Sequence, residues 1–147
     1  MLYEYQKKPP YLGPFAAFVK HLDCREISVM RTFSAENLPM SRDGATVKPV
    51  ASKLQYVEMS TRKWVKYLAS QGMLFAHPSD LLRLAVKTPN DLFGNPDFAG
   101  WFTVWRDKAG KIWSMSLGQL GDYRGINISH IEFCSKWSPR MRAVAMF

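Results

Sequence analysis

The chain has little of what most chemistries need. Two cysteines, Cys24 and Cys134, in 147 residues are too few for a disulfide framework, and a reducing compartment keeps such residues as thiols. Three histidines leave few general bases, and there is no G-x-S-x-G, P-loop, G-x-G-x-x-G or H-E-x-x-H pattern. No apolar run approaches the roughly 18 residues of a membrane helix, and the charged Glu4, Lys7 and Lys8 are unlike a signal peptide. Repeats and low-complexity tracts are missing as well. These absences predict a soluble, cytoplasmic protein with no cofactor and no membrane partner, and they leave catalysis without a motif.

What is present is apolar and basic. An apolar fraction of 47%, with nine Phe, six Tyr and five Trp, is enough for a real core, and a chain of this size forms one domain that buries roughly two-thirds of its unfolded surface. Twenty Lys and Arg against twelve Asp and Glu give a net charge of +8, which favours polyanionic partners and excludes mimicry of nucleic acid.

The most informative stretch is 98–117. Trp101, Thr103 and Trp105 alternate with Phe102, Val104 and Arg106, and Ile112, Ser114 and Ser116 alternate with Trp113, Met115 and Leu117, the period of two expected of strands. Asp107-Lys108-Ala109-Gly110-Lys111 supplies a turn in which Gly110 takes the left-handed conformation of a three-residue loop. That register predicts Trp105 opposite Trp113, Thr103 opposite Met115 and Trp101 opposite Leu117 on one core face, with the half-apolar other face suited to a helix over part of it.

Elsewhere the spacing predicts a short edge strand or arm at 1–6, a helix opened by Pro14, a strand over 25–33, and a long irregular loop at about 34–52. A strand through Leu54, Tyr56, Val57 and Met59 precedes a helix capped by Ser60 and stopped by Gly72. A second helix follows Pro78, capped by Ser79 or Asp80 and ended by Pro89, and 93–97 is turn material leading into the hairpin. The 118–125 segment reads as a loop, and the shift from Ile126 and Ile128 to Ile131 and Phe133 implies a bulge near Ser129 and His130. The apolar end, Met141 to Phe147, is docked as a strand or against a partner. The fold class is therefore α+β, a mostly antiparallel sheet around the 98–117 hairpin with about three helices.

Three basic clusters stand out. Arg62, Lys63 and Lys66 open the helix after Ser60, where a helix dipole disfavours cations by a few tenths of a kcal/mol each, so a phosphate meeting free backbone N–H groups would compensate. Arg106, Lys108 and Lys111 sit at the hairpin tip. Lys136, Arg140 and Arg142 flank Trp137, and Trp137 and Tyr123 are the aromatics left to stack on bases. Each cluster also reads as an ordinary solvated charged face.

Two helices followed by a basic-tipped hairpin resemble the order of a winged-helix DNA-binding domain, but the helix that would enter the groove, Ser79 to Lys87, offers only Arg83 and Lys87. His21-x-x-Cys24 and His130-x-x-x-Cys134 supply zinc-ligand types, yet strand positions four apart are ~13 Å apart, too far to share one ion. Cys134 in an apolar strand reads instead as a buried thiol. An enzyme would pair a cysteine or serine nucleophile with His130 or His77, or use a carboxylate from Asp122 or Glu132, and would need an exposed cleft grouping His130 with Cys134, Asp122 or Glu132.

The resulting expectation is a non-enzymatic binding protein acting on nucleic acid or a nucleoprotein complex. Its rival is a protein-binding inhibitor or accessory subunit of phage or mobile-element type, using the apolar C-terminus and the 34–52 loop.

Overall fold

The computed structural model describes residues 5–6, 15–30, 32–34, 37, 46–54, 56–93, 99–120 and 123–147. The elements in chain order are β1 (Tyr5–Gln6), α1 (Phe15–His21), β2 (Cys24–Met30), β3 (Val47–Val50), β4 (Met59–Ser60), α2 (Thr61–Ser70), β5 (Leu74–Phe75), α3 (Pro78–Lys87), α4 (Pro89–Leu92), β6 (Gly100–Arg106), β7 (Ile112–Leu120), β8 (Tyr123–Ile131), β9 (Lys136–Trp137) and β10 (Met141–Met146). Parts of the expected N-terminal strand, the 34–52 loop and the 93–97 turn, together with Asp122, lie outside the described residues.

The α+β class holds, with four helices among the described residues rather than about three. The sheet runs β1-β2-β8-β7-β6-β10-β3, with β5 also on β10. Most of its described pairs are antiparallel, as expected, but it is mixed and not purely antiparallel: β2 runs parallel to β8, and β10 parallel to β6. Alternation along a strand carries no information about the direction of its neighbour, which is why the local pattern missed this.

The hairpin has the predicted register, with Trp105 opposite Trp113, Thr103 opposite Met115 and Trp101 opposite Leu117. Asp107 N donates to Lys111 O at 2.9 Å and Gly110 N to Asp107 O at 3.0 Å, with Gly110 at φ 86. A left-handed residue at that point costs a glycine nothing sterically. Asp107 also receives Lys111 N on Oδ1 at 2.9 Å and Trp113 Nε1 on Oδ2 at 2.9 Å, so one carboxylate closes the turn and anchors a core tryptophan.

Each face of the sheet has its own core. On the first, α1, α3 and α4 cover Trp101, Trp105, Trp113, Leu117, Ile126 and Ile128. On the second, Trp64 and Leu68 of α2 cover Phe102, Val104, Ala143 and Ala145. The predicted helix over the hairpin's other face is thus α2, with Trp64 set edge-on to Phe102 at 5.5 Å. Because α2 and α3 lie on opposite faces, the winged-helix arrangement is excluded; Leu81, Leu82 and Ala85 of the supposed groove helix are buried, and Arg83 pairs with Asp80 at 3.1 Å.

Several boundaries differ from expectation for identifiable reasons. Part of the 34–52 segment is edge strand β3, in which Pro49 breaks the alternation. Only Met59–Ser60 of the strand expected before α2 forms, with Tyr56 91% and Val57 60% exposed. Helix α3 begins at Pro78 with His77 in the cap position, while Ser79 and Asp80 sit inside it and are buried. Proline is favoured at a first helical position because its missing N–H is one the helix cannot use there.

The 118–125 loop is mostly strand, since β7 extends to Leu120 and β8 starts at Tyr123. β7 and β8 stay in register through Ile131, so no bulge lies at Ser129 and His130. Ile131 faces the second core, and a strand with apolar cover on both faces loses its alternation. The same reason explains β10: Val144 enters the first core, Ala143 and Ala145 the second. The C-terminal run is therefore an interior strand, not an open interface. Cys134 is exposed in the turn after β8, and Cys24 is the buried thiol, pushed up to about 11 by desolvation. Among the described residues no helix is long and apolar enough to cross a membrane.

Candidate nucleic-acid interface

Helix α2 starts where Ser60 caps it, its Oγ accepting from Lys63 N at 3.2 Å. The preceding amides are also occupied: Thr61 N donates to Ser135 O at 2.8 Å and Arg62 N to Phe133 O at 3.1 Å. These bonds replace the free N–H groups expected to meet a phosphate, so an anion here would meet side chains alone. They also hold the turn after β8 against the helix, which sets the position of Phe133.

Arg62 then shares an open groove of ≈ 560 Å³ with Arg106, Lys111, Phe133 and Glu132. The first turn of α2 and the hairpin tip, far apart in the chain, are thereby brought together. Both guanidiniums approach the Phe133 ring, with Arg62 Cζ 5.7 Å and Arg106 Cζ 5.2 Å from its centre. Lys63 and Lys66 border a second groove, ≈ 390 Å³, with Lys53, Leu54 and Tyr67. Among the described residues, Arg62, Lys63, Lys66, Arg106 and Lys111 carry no ion pair. Lys108 is exposed in the same turn but borders neither groove.

The tip is held from beneath by Asp107, whose Oδ2 also accepts Asn37 Nδ2 at 2.8 Å. Trp113, then the Lys111 amide and Asn37, hold its carboxyl below the usual carboxylate range against the opposing effect of desolvation.

The third cluster does not assemble. Lys136 and Arg140 are exposed and Arg142 is half-buried in register with Trp101, and none of them borders either groove. Trp137 is stacked on Phe102, with ring centres 4.0 Å apart and planes 13° apart, and its Nε1 donates to Thr61 Oγ1 at 2.9 Å. One face of its indole belongs to the core, so it is not the open platform expected. The side chain of Tyr123 lies outside the described residues.

Phe133, Lys53 and Tyr67 had no local signal as groove residues. For Phe133 the polar Glu132, Ser135 and Lys136 around it mark the end of a strand, a hint that the ring leaves the core row.

His130, Glu132 and Cys134 border the first groove too. Cys134 Sγ lies 3.7 Å from Glu132 Oε2, and His130 Nδ1 lies 3.0 Å from Ile112 O. A carbonyl only accepts, so Nδ1 of the neutral ring carries the proton. The hydrogen bond between nucleophile and base that covalent catalysis uses is not formed between these two side chains. Among the described residues no three His, Cys, Asp or Glu side chains gather as a metal site requires, and His21 is exposed on α1 while Cys24 is buried.

No known protein family, curated protein or solved structure matches this chain.

Proposed function

We propose that the protein binds nucleic acid, free or within a nucleoprotein complex, through the groove between α2 and the β6–β7 turn. The observation that carries this reading is the convergence of Arg62, Arg106 and Lys111, unpaired among the described residues, on one open groove. Among the described residues Glu132 is the one carboxylate lining this groove and forms no ion pair with the three cations, so a net positive charge remains, and a polyanion neutralises it while releasing its own counterions. Lys53, Lys63 and Lys66 extend the positive surface along the neighbouring side of α2.

The test is fluorescence-anisotropy titration of nuclease-treated protein with labelled oligonucleotides at 50 mM and 200 mM salt. Wild type should bind at low salt and lose about tenfold or more at high salt, the behaviour of several phosphate contacts. R62E/R106E should weaken binding at least as much with an unchanged thermal midpoint. Binding insensitive to both salt and these substitutions would overturn the reading.

A further inference from the structure

We infer that Arg62, Phe133 and Arg106 form a stacking platform for unpaired bases, so that the groove selects single-stranded over duplex nucleic acid. This rests on the nucleic-acid reading above and deepens it by naming the form of the partner.

Three observations lead there. Both guanidiniums lie within 6 Å of the Phe133 ring centre, the range in which a cation is held by a ring's negative face. The backbone that carries the ring is anchored to α2, because Phe133 O accepts Arg62 N at 3.1 Å, and Arg106 is oriented by its Nη1 donating to Gly110 O at 3.3 Å. Finally, Arg62 and Arg106 are exposed, so each planar cation keeps a solvent side. A guanidinium fixed on an aromatic ring is a flat, positively charged surface of the kind on which a splayed base stacks. Lys111 beside it is placed to follow the backbone phosphates.

A duplex cannot use this platform. Its bases are stacked on one another and present only edges and phosphates, whereas every base of a single strand has a free face. Charge alone would not discriminate in this way, because a duplex carries the denser array of phosphates. The aromatics that the chain order points to, Trp137 and Tyr123, are not needed for this, and Trp137 already has one face on Phe102.

The experiment compares single-stranded and duplex oligonucleotides of equal length, DNA and RNA, with 2-aminopurine in the single strands as a stacking reporter. Wild type should bind the single strand at least tenfold tighter and quench the reporter. R62K/R106K keeps the charge but removes the planar groups, so it should keep the salt dependence while losing most of the preference and the quenching. F133L, checked for an unchanged circular dichroism spectrum, should do the same. Equal, salt-dependent binding of both forms by wild type, or lysine variants that keep the full preference, would overturn the platform and leave the nucleic-acid reading standing. No binding of either form at low salt would overturn both.

Discussion

The second face of the sheet is divided into two halves that share the strands β6, β7 and β8. Under α2 the large outward side chains are Phe102, Val104, Ile112 and Ile131, packed with Trp64, Leu68 and Trp137. The two serines in register with Val104, Ser114 and Ser129, are tied together by Ser114 Oγ donating to Ser129 O at 3.4 Å. Beyond the helix the positions in register with Phe102 are Ser116, Asn127 and Ser28, and a row of Gly100, Gly118 and Gly125 crosses three neighbouring strands. Ser28, Ser116, Asn127, Gly118 and Gly125, with Glu26 and Met141, line a trough of ≈ 330 Å³. What separates the halves is cover rather than strand propensity: a helix laid on a strand makes large apolar side chains favourable there, and the uncovered stretch of the same strand carries hydroxyls, amides and glycine.

Direct partners across the boundary give the sharpest test. Phe102 and Ser116 face each other on β6 and β7, yet Phe102 is 0% exposed and ringed by Trp64, Phe75 and Trp137. Phe102→Ala should cost about 3–5 kcal/mol, as deletions of buried aromatic rings do, read as a shift in the urea midpoint. A loss below about 1 kcal/mol would mean that α2 is not the cover that distinguishes the halves.

The glycine row comes next. A Cβ at Gly118 would meet Ala99 O at 2.6 Å, so Gly118→Ala should cost about 1–3 kcal/mol through forced backbone movement. A neutral effect on the urea midpoint would show that the trough floor tolerates side chains and that its glycines are not set by close strand approach.

A third test asks whether the tip of the same hairpin is held from the first face, by Asp107, rather than by α2. A carboxyl held below its ordinary value stabilises the fold above that value and ceases to as pH falls through its folded-state pKa. Asp107→Asn should therefore be less stable than wild type at pH 7, with the gap closing as pH falls below the ordinary 3.8. Parallel curves from thermal melts across that range would remove Asp107 from this role. The smallest effect is expected at Ser116→Ala, within about 0.5 kcal/mol as for other uncovered positions; a cost approaching that of Phe102→Ala would break the contrast between the halves.

Legibility in the chain follows the same division. The β6–β7 register was readable because the turn residues and the alternation are both local, and α2 was readable from Ser60 and Gly72. The shift at Ile131 reads wrongly as a bulge, and the 143–145 run leaves a docked strand and a partner interface both open, because each is apolar on both sides, a pattern that says buried without saying by what. Of the candidate site, the charges of Arg62, Arg106 and Lys111 were visible, but Phe133 was not. Its place depends on two backbone hydrogen bonds, Arg62 N to Phe133 O and Thr61 N to Ser135 O, between segments that no spacing rule connects.

By itself the sequence determined the α+β class, the hairpin with its tryptophan face, the limits of α2 and an excess of positive charge, since each depends on neighbours within a few positions. Tertiary structure alone decided the parallel pairs β2–β8 and β10–β6, the choice of the sheet rather than a partner as the C-terminal strand's cover, the exposure of Cys134 and burial of Cys24, and the meeting of Arg62 and Arg106 at Phe133. The physical reason is the range of the forces involved: turns, caps and alternation act between residues close in the chain, whereas the cover of a face and the convergence of charges come from packing between distant segments.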